Sequence, residues 1–155
     1  MRRKLGLLEE REGDAALIEA LLGAMHAGEV DFTLAFRRLC DVAEDPAQDA
    51  PRARLRALFP EPEAVDRWLV DWRRRCAAQD GAAQARTMRA ANPAFIPRNH
   101  RVEQALDAAT RHGDFAPFER LLEVLARPYA DQPEQAQYEE PARPGERVTR
   151  TFCGT

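Results

Sequence analysis

Between Pro62 and Cys76 the apolar residues Val65, Trp68, Leu69, Trp72 and Cys76 recur at intervals of three and four. That is the period of one face of an α-helix, not the alternation of a half-buried strand. Pro60 and Pro62 precede the stripe, and proline's fixed φ and missing N–H suit a first helical turn. A stripe with two indoles must be buried against something, and its neighbours in sequence follow the same rule. Leu17, Ile18, Leu21, Leu22 and Met25 share a face after Asp14, which predicts a helix capped by Asp14 and closed by a left-handed Gly28. Asp31 offers a second cap, followed by Phe32, Ala35, Phe36, Leu39 and Cys40, so Cys40 is expected to point inward.

The same reading continues to the C-terminal third. "AEDPAQDAP" reads as a surface loop, with a short helical turn at "RARLRALF" after it. An Ala-rich helix follows Gly81. Another runs through Val102, Ala105, Leu106 and Ala109 to Gly113, and the last, with Asp114 as its cap, buries Phe118, Leu121, Leu122 and Leu125 and ends at Pro128. The openings "GDAALIEALLGAM" and "GDFAPFERLLEVL" are alike because capped amphipathic helices share a grammar, and the middle of the chain carries no third copy at a solenoid period. From Pro128 the chain is rich in Pro, Gln, Glu and Arg without a stripe, which reads as a floppy tail. The expected fold is all-α: about six helices in a domain of residues 1–127, with an irregular, extended, Pro-rich tail over 128–155.

Charge and cysteine content narrow the function. With 23 basic and 26 acidic residues the formal net charge is -3, so no global field recruits nucleic acid or an anionic membrane. Arg73, Arg74 and Arg75 share a helix with Asp66 and Asp71, and the Asp71 to Arg75 spacing suits an ion pair on a solvated face. Trp68 and Trp72, set in an aliphatic stripe, read as core and not as a stacking platform. No run approaches the roughly 20 apolar residues of a membrane span, and the start "MRRKLGLLEEREGD" turns acidic too early for a signal peptide; a cytoplasmic location is expected. Cys40, Cys76 and Cys153 show no C-x-x-C spacing and read as reduced thiols. His26, His100 and His112 stand at separate helix ends, so no metal site is expected. No Gly-rich phosphate loop, G-x-S-x-G, H-E-x-x-H, D-F-G or H-R-D motif occurs, and no catalytic residue is assigned.

One stretch resists the helical reading. In "ANPAFIPRNH" Pro93 disfavours helix at Asn92 and Pro97 suits the start of the next one, so an irregular connection carries two large apolar residues. The expected role is a structural joint: Phe95 and Ile96 anchor it, Arg98 pairs with an acid or a helix end, and Asn99 bonds to backbone near the next helix start. Contact of Asn92, Arg98 or Asn99 with a ligand is the competing reading.

"NPAFIPRNHRVEQAL" resembles the N-P-x-[YF]-[IV]-x-R-N helix entry of the selenoprotein O (SelO) family of pseudokinase-like protein adenylyltransferases. "MRRKLGL", "DFTLAFRRL", "FERLLEVLARPYADQPE" and the terminal "TFCGT" fall in the family's order, while "AEDPAQDAP" matches no motif. The resemblance implies the C-terminal third or so of such a protein, with Met1 similar to an internal methionine. It also implies a parent enzyme that binds ATP with Mg or Mn and moves AMP onto Ser, Thr or Tyr hydroxyls of protein substrates. None of that machinery maps onto this chain, which is expected to hold no cofactor itself. Its implied partner is the missing N-terminal kinase-like lobe of the same polypeptide, with a dimer through exposed apolar surface as the outcome when that lobe is absent. A free-standing helical protein-interaction module is the alternative. For Cys153, the nearby Arg147 and Arg150 and the absence of a burying stripe leave a redox thiol and an idle tail cysteine evenly placed. The resemblance, in which some relatives carry selenocysteine near this terminus, implies the redox role and a disulfide locking the tail to the catalytic lobe.

Overall fold

The computed structural model describes residues 1–146. It divides into two compact units, one spanning Met1–Pro93 and the other beginning at Ala94. The described residues form α-helices and 3-10 turns, with no strand among them.

The first unit opens with a 3-10 turn, Arg2–Leu5, and holds five helices: α1 (Asp14–Ala27), α2 (Phe32–Glu44), α3 (Asp49–Arg56), α4 (Pro62–Cys76) and α5 (Gly81–Ala91). Helix α2 packs against α3 and α5, α1 against α4, and α5 against the opening turn. The stripe that predicted α4 is the middle of the core. Val65, Trp68, Leu69, Trp72 and Cys76 are all buried, together with Leu21 and Met25 of α1 and Phe36, Leu39 and Cys40 of α2. The indole rings of Trp68 and Trp72 stack with centroids 5.8 Å apart. Each indole N–H donates to a backbone carbonyl, Trp68 Nε1 to Leu17 O at 2.8 Å and Trp72 Nε1 to Leu5 O at 2.9 Å. Both polar handles are satisfied inside the protein, as buried tryptophans require.

Local details depart from the sequence reading in four places. Asp14 is the first residue of α1 and not its cap; Gly13, at φ 90°, holds the cap position. Gly28 closes α1 at φ -92°, and the left-handed residue is Glu29 at φ 49°. The loop is shorter than "AEDPAQDAP", because α2 continues through Glu44 and α3 begins at Asp49. Proline lacks only a donor that the first turn does not use, so Pro51 sits inside α3 without breaking it. Arg75 does not pair with Asp71: Arg74 does, and Arg75 reaches Asp14. Asp31 caps α2 as expected, its carboxylate accepting from Leu34 N at 2.8 Å.

Gly6 closes the opening turn at φ 65°, and a Cβ there would stand 2.5 Å from Gln84 Cγ and 2.8 Å from Met88 Sδ of α5. Both the backbone conformation and the space require glycine at this point.

The second unit holds α6 (Asn99–His112) packed on α7 (Ala116–Leu125), then 3-10 turns at Pro133–Tyr138 and Pro144–Glu146. Gly113 ends α6 in the left-handed conformation at φ 66°; Asp114 accepts from Ala116 N at 3.0 Å, but Phe115, not the expected Asp114, holds the N-cap position of α7. Ala94, Phe95 and Val124 form its small core, with Leu125 and Tyr138 against it. The expected buried face of α7 is only half right. Leu121 is buried and Leu125 partly buried, whereas Phe118 is 40% and Leu122 53% exposed, and Val124, outside the expected face, is buried. Beyond Pro128 there is no α-helix among the described residues, as the missing stripe implied, yet the segment is tied down. Pro128 O accepts from Ala94 N at 2.8 Å and Phe95 N at 3.1 Å. The buried Gln132 amide donates to Val124 O and Arg127 O.

Candidate functional site

The joint predicted around "ANPAFIPRNH" begins in the first unit with Asn92, which follows α5 and is fully buried. Pro93 keeps Asn92 extended at φ -120°, ψ 100°, and that turns its polar groups toward the start of the chain. Asn92 Nδ2 donates to Lys4 O at 2.8 Å and to Cys40 Sγ at 3.4 Å. Its Oδ1 accepts from Lys4 Nζ at 3.2 Å, its carbonyl from Arg37 Nη1 at 3.1 Å, and its N–H donates to Met88 O at 2.9 Å. One asparagine thereby ties α2, α5 and the opening turn together. Lys4 Nζ also donates to Ala91 O at 3.0 Å and lies 5.5 Å from the ring centroids of Phe32 and Phe36.

The electrostatics of this knot are structural. Burial lowers the Lys4 ammonium from its ordinary value, although the Cys40 thiol nearby acts the other way. Burial pushes the Cys40 thiol up, against the hydrogen bond from Asn92 and the charges of Arg89 and Arg37. Cys76 is raised by burial as well. A raised, enclosed thiol is a poor nucleophile, so neither cysteine offers covalent chemistry here.

In the second unit Phe95 is 1% exposed and anchors its core, while Ile96 is only partly buried. Arg98 is buried at the N-cap position of α6, whereas Asn99, the first residue of that helix, is exposed. Asn92 thus belongs to one unit, and Arg98 and Asn99 to the other. Cys153 lies outside the described residues.

A pairing that sequence reasoning missed joins α1 to α4. Arg75 Nε stands 2.6 Å from Asp14 Oδ1, Arg75 Nη2 3.1 Å from Asp14 Oδ2, and Arg11 N donates to the same carboxylate. The Arg75 guanidinium holds the Asp14 carboxyl below the usual carboxylate range, against the burial that would raise it, and the Arg11 N–H adds to the effect. Alongside runs a groove of about 720 Å³ between α1 and α4, lined among others by Ala16, Ala20, Trp68, Arg67, Asp71 and Arg74. Its lining mixes small apolar and charged side chains, with no Ser, Thr or Cys nucleophile among them. Sequence spacing had favoured Asp71 as the partner of Arg75, so the only available signal pointed elsewhere.

The pair makes a pH prediction. The folded Asp14 pKa is depressed, so its contribution is present above the unfolded carboxyl pKa near ~4. It is lost as pH falls through the folded value. Replacing Arg75 by alanine should cost about 2–3 kcal/mol at neutral pH and flatten this acid limb. Urea melts of both proteins across the acid range check it; an acid limb of unchanged steepness in Arg75→Ala would refute the assignment.

ATP with a divalent metal does not fit the described residues. No group of three His, Cys, Asp or Glu side chains converges among them. No Gly-rich phosphate cradle occurs in the sequence. No described helix is long and apolar enough to cross a membrane. The class defined by fold and joint is an all-helical module organised by buried polar ties. The family model described as "Protein adenylyltransferase SelO" matches residues 1–126, and the chain belongs to that family.

Curated relatives agree. A "Protein nucleotidyltransferase YdiU" of Rhizobium etli is 55% identical over 157 aligned positions covering 100% of this chain and 31% of that protein. One of Bradyrhizobium sp. is 54% identical with the same coverage. One of Methylorubrum extorquens is 55% identical over 98% of this chain and 32% of its own length. The chain therefore spans about a third of the length of the curated relatives it matches.

Proposed function

We propose that this chain is the C-terminal helical accessory part of a protein adenylyltransferase, which moves AMP from ATP, with Mg or Mn, onto Ser, Thr or Tyr hydroxyls of other proteins. The observation that carries the reading is the match to the adenylyltransferase family combined with coverage of only 31% of a relative's length. The donor set supports an accessory role, because the described residues do not converge on a metal or cradle a phosphate.

The rest of the polypeptide is the partner in this reading. Phe115, Phe118 and Leu122 are spaced along one side of α7, and they are 59%, 40% and 53% exposed. Leu106 of α6 is 45% exposed. Such a row of large apolar side chains is a surface for another protein segment to cover. The redox role of Cys153, a disulfide to a thiol in the catalytic lobe, belongs to the same reading.

Label transfer tests the division of labour. With α-labelled ATP, Mg or Mn and a protein acceptor, the isolated chain is expected to give no incorporation. The same residues joined to the remaining two thirds or so of a family member should label the acceptor. Incorporation by the isolated chain, or its absence from the joined protein, would overturn the proposal.

A further inference from the structure

Helix α1 is apolar on both of its sides. It buries Leu21 and Met25 in the core of the first unit, and its only ionisable groups are Asp14, Glu19 and His26, in a chain that is 32% charged. Ala16, Ala20, Gly23 and Ala27, spaced by four, three and four, share the side away from that core, and all are exposed. A helix without a polar face is normally covered on both sides. The alanines by themselves are ordinary, because alanine is a good helix former. Gly23 is not. Glycine inside a helix weakens it relative to alanine, the φ of Gly23 is not positive, and a Cβ at this position would meet nothing within 4 Å. No described residue requires glycine there, and what a bare helix position of this kind permits is the close approach of another backbone.

Beside this face lies the groove of about 720 Å³ between α1 and α4. A smaller hollow of about 120 Å³ shares Ala24 and Ala64 with it and continues to Phe59 and Pro60. Together they follow α1 from Ala16 to Ala27, about 17 Å at the helical rise, which is the length of a three-turn helix. Among the charges along the groove, Asp14 pairs with Arg75 and Asp71 with Arg74. That leaves the exposed Arg67 in its lining, next in sequence to Trp68, and Glu12.

On the basis of the accessory role proposed above, we propose that this face of α1 and its groove seat an amphipathic helix from the part of the polypeptide outside this chain. Its backbone approaches Gly23, a large apolar side chain enters the groove beside Trp68, and a carboxylate meets Arg67. The chain spans 31% of the Rhizobium etli relative, so a polypeptide of that length has ample sequence to supply such a helix. The small side chains point to a tethered occupant. Each buries little apolar area, so the face would hold a free protein weakly, whereas a segment of the same polypeptide acts at an effective concentration of roughly millimolar.

Ala20→Cys tests the seat, because the new thiol stands at an exposed helix position where a small side chain replaces another. Alkylation is followed by peptide mass spectrometry, which reads each cysteine separately, in the 155-residue chain and in the same residues joined to the rest of a family member. The introduced thiol should react freely in the chain alone and about ten-fold or more slowly in the joined protein. Leu122→Cys, on the exposed row of α7, separates this inference from the accessory role. Slowing at position 122 without slowing at position 20 leaves the accessory role standing and overturns the seat; slowing at neither overturns both. Slowing in the chain alone that grows with its concentration would assign the face to a second copy, and slowing in the joined protein only after a protein acceptor is added would assign it to the substrate. Either result overturns the proposal. Gly23→Ala is the second measurement. In the chain alone it should raise the urea midpoint, since its Cβ enters open space. In the joined protein it should speed alkylation at position 20 several-fold, because the added methyl overpacks the contact. An unchanged rate there would mean that no backbone approaches Gly23, and the proposal fails.

Discussion

Replacing Trp72 by alanine is expected to destabilise the first unit by about 3–5 kcal/mol, the range for removing a large aromatic side chain from a packed core. The ring is 3% exposed and stacked on Trp68, so its loss leaves a cavity between α1, α4 and the opening turn that well-packed neighbours only partly refill. It also orphans the carbonyl of Leu5, a residue that is itself 0% exposed. Trp72→Phe separates the two effects: it keeps most of the apolar volume, loses the N–H, and should cost about 2 kcal/mol. Both tryptophans of the chain lie in this unit, so denaturant melts followed by the remaining Trp68 fluorescence report on it directly. The expected outcome is a lower midpoint at unchanged slope. A loss below about 1 kcal/mol for Trp72→Ala, the scale of a surface substitution, would mean that the indole does not organise the core.

Asn92→Leu should cost the same unit about 3 kcal/mol, although leucine is similar in size and more apolar. The reason is the set of groups left behind. Lys4 O loses its donor, and Lys4 Nζ keeps Ala91 O as its remaining acceptor among the described residues. Each buried polar group stranded in this way costs about 1–3 kcal/mol. The bonds of the Asn92 backbone to Arg37 and Met88 would persist, so the change weakens the tie without deleting it. A double-mutant cycle with Lys4→Met distinguishes a shared network from two separate packing defects. The combined loss should fall short of the sum by about 1–2 kcal/mol, because each single change breaks the same Lys4 Nζ to Asn92 Oδ1 bond, which the double variant loses only once. Strict additivity would show that Lys4 and Asn92 do not act together.

These two sites differ in how far the sequence announced them. Trp72 was legible as core because it falls on a stripe with Val65, Trp68, Leu69 and Cys76. That stripe depends only on the helical period. The joint at Asn92 was legible as a place, because Pro93 and Pro97 interrupt the helices, and Asn92 and Phe95 are both buried. Its partners were not legible: Lys4 is 88 residues away and Arg37 is 55. Asn99, expected to bond within the joint, is exposed. The Asp14 to Arg75 pair shows the same limit. A cap for Asp14 and an i,i+4 partner for Arg75 were both sound local expectations, and both gave way to an ion pair spanning 61 residues. Burial beside Arg75 favoured the long-range arrangement over two exposed local ones, which are worth little in water.

By itself the sequence determined that the chain is helical, where most of the helices lie, and that Asp31 begins α2. Each of these is settled within about four residues, by the spacing of apolar side chains and the first free N–H groups of a helix. Only the tertiary structure decided which polar groups meet in the Asn92 knot and which side of α7 is covered. Helix α7 carries Phe118, Leu121, Leu122, Val124 and Leu125 around more of its circumference than one neighbour can bury. The burial of Leu121 and Val124 and the exposure of Phe118 and Leu122 follow from how the helix packs within its unit. Periodicity fixes which residues share a face, but the choice between adjoining apolar faces is made by contacts between segments distant in sequence, and no local pattern carries that information.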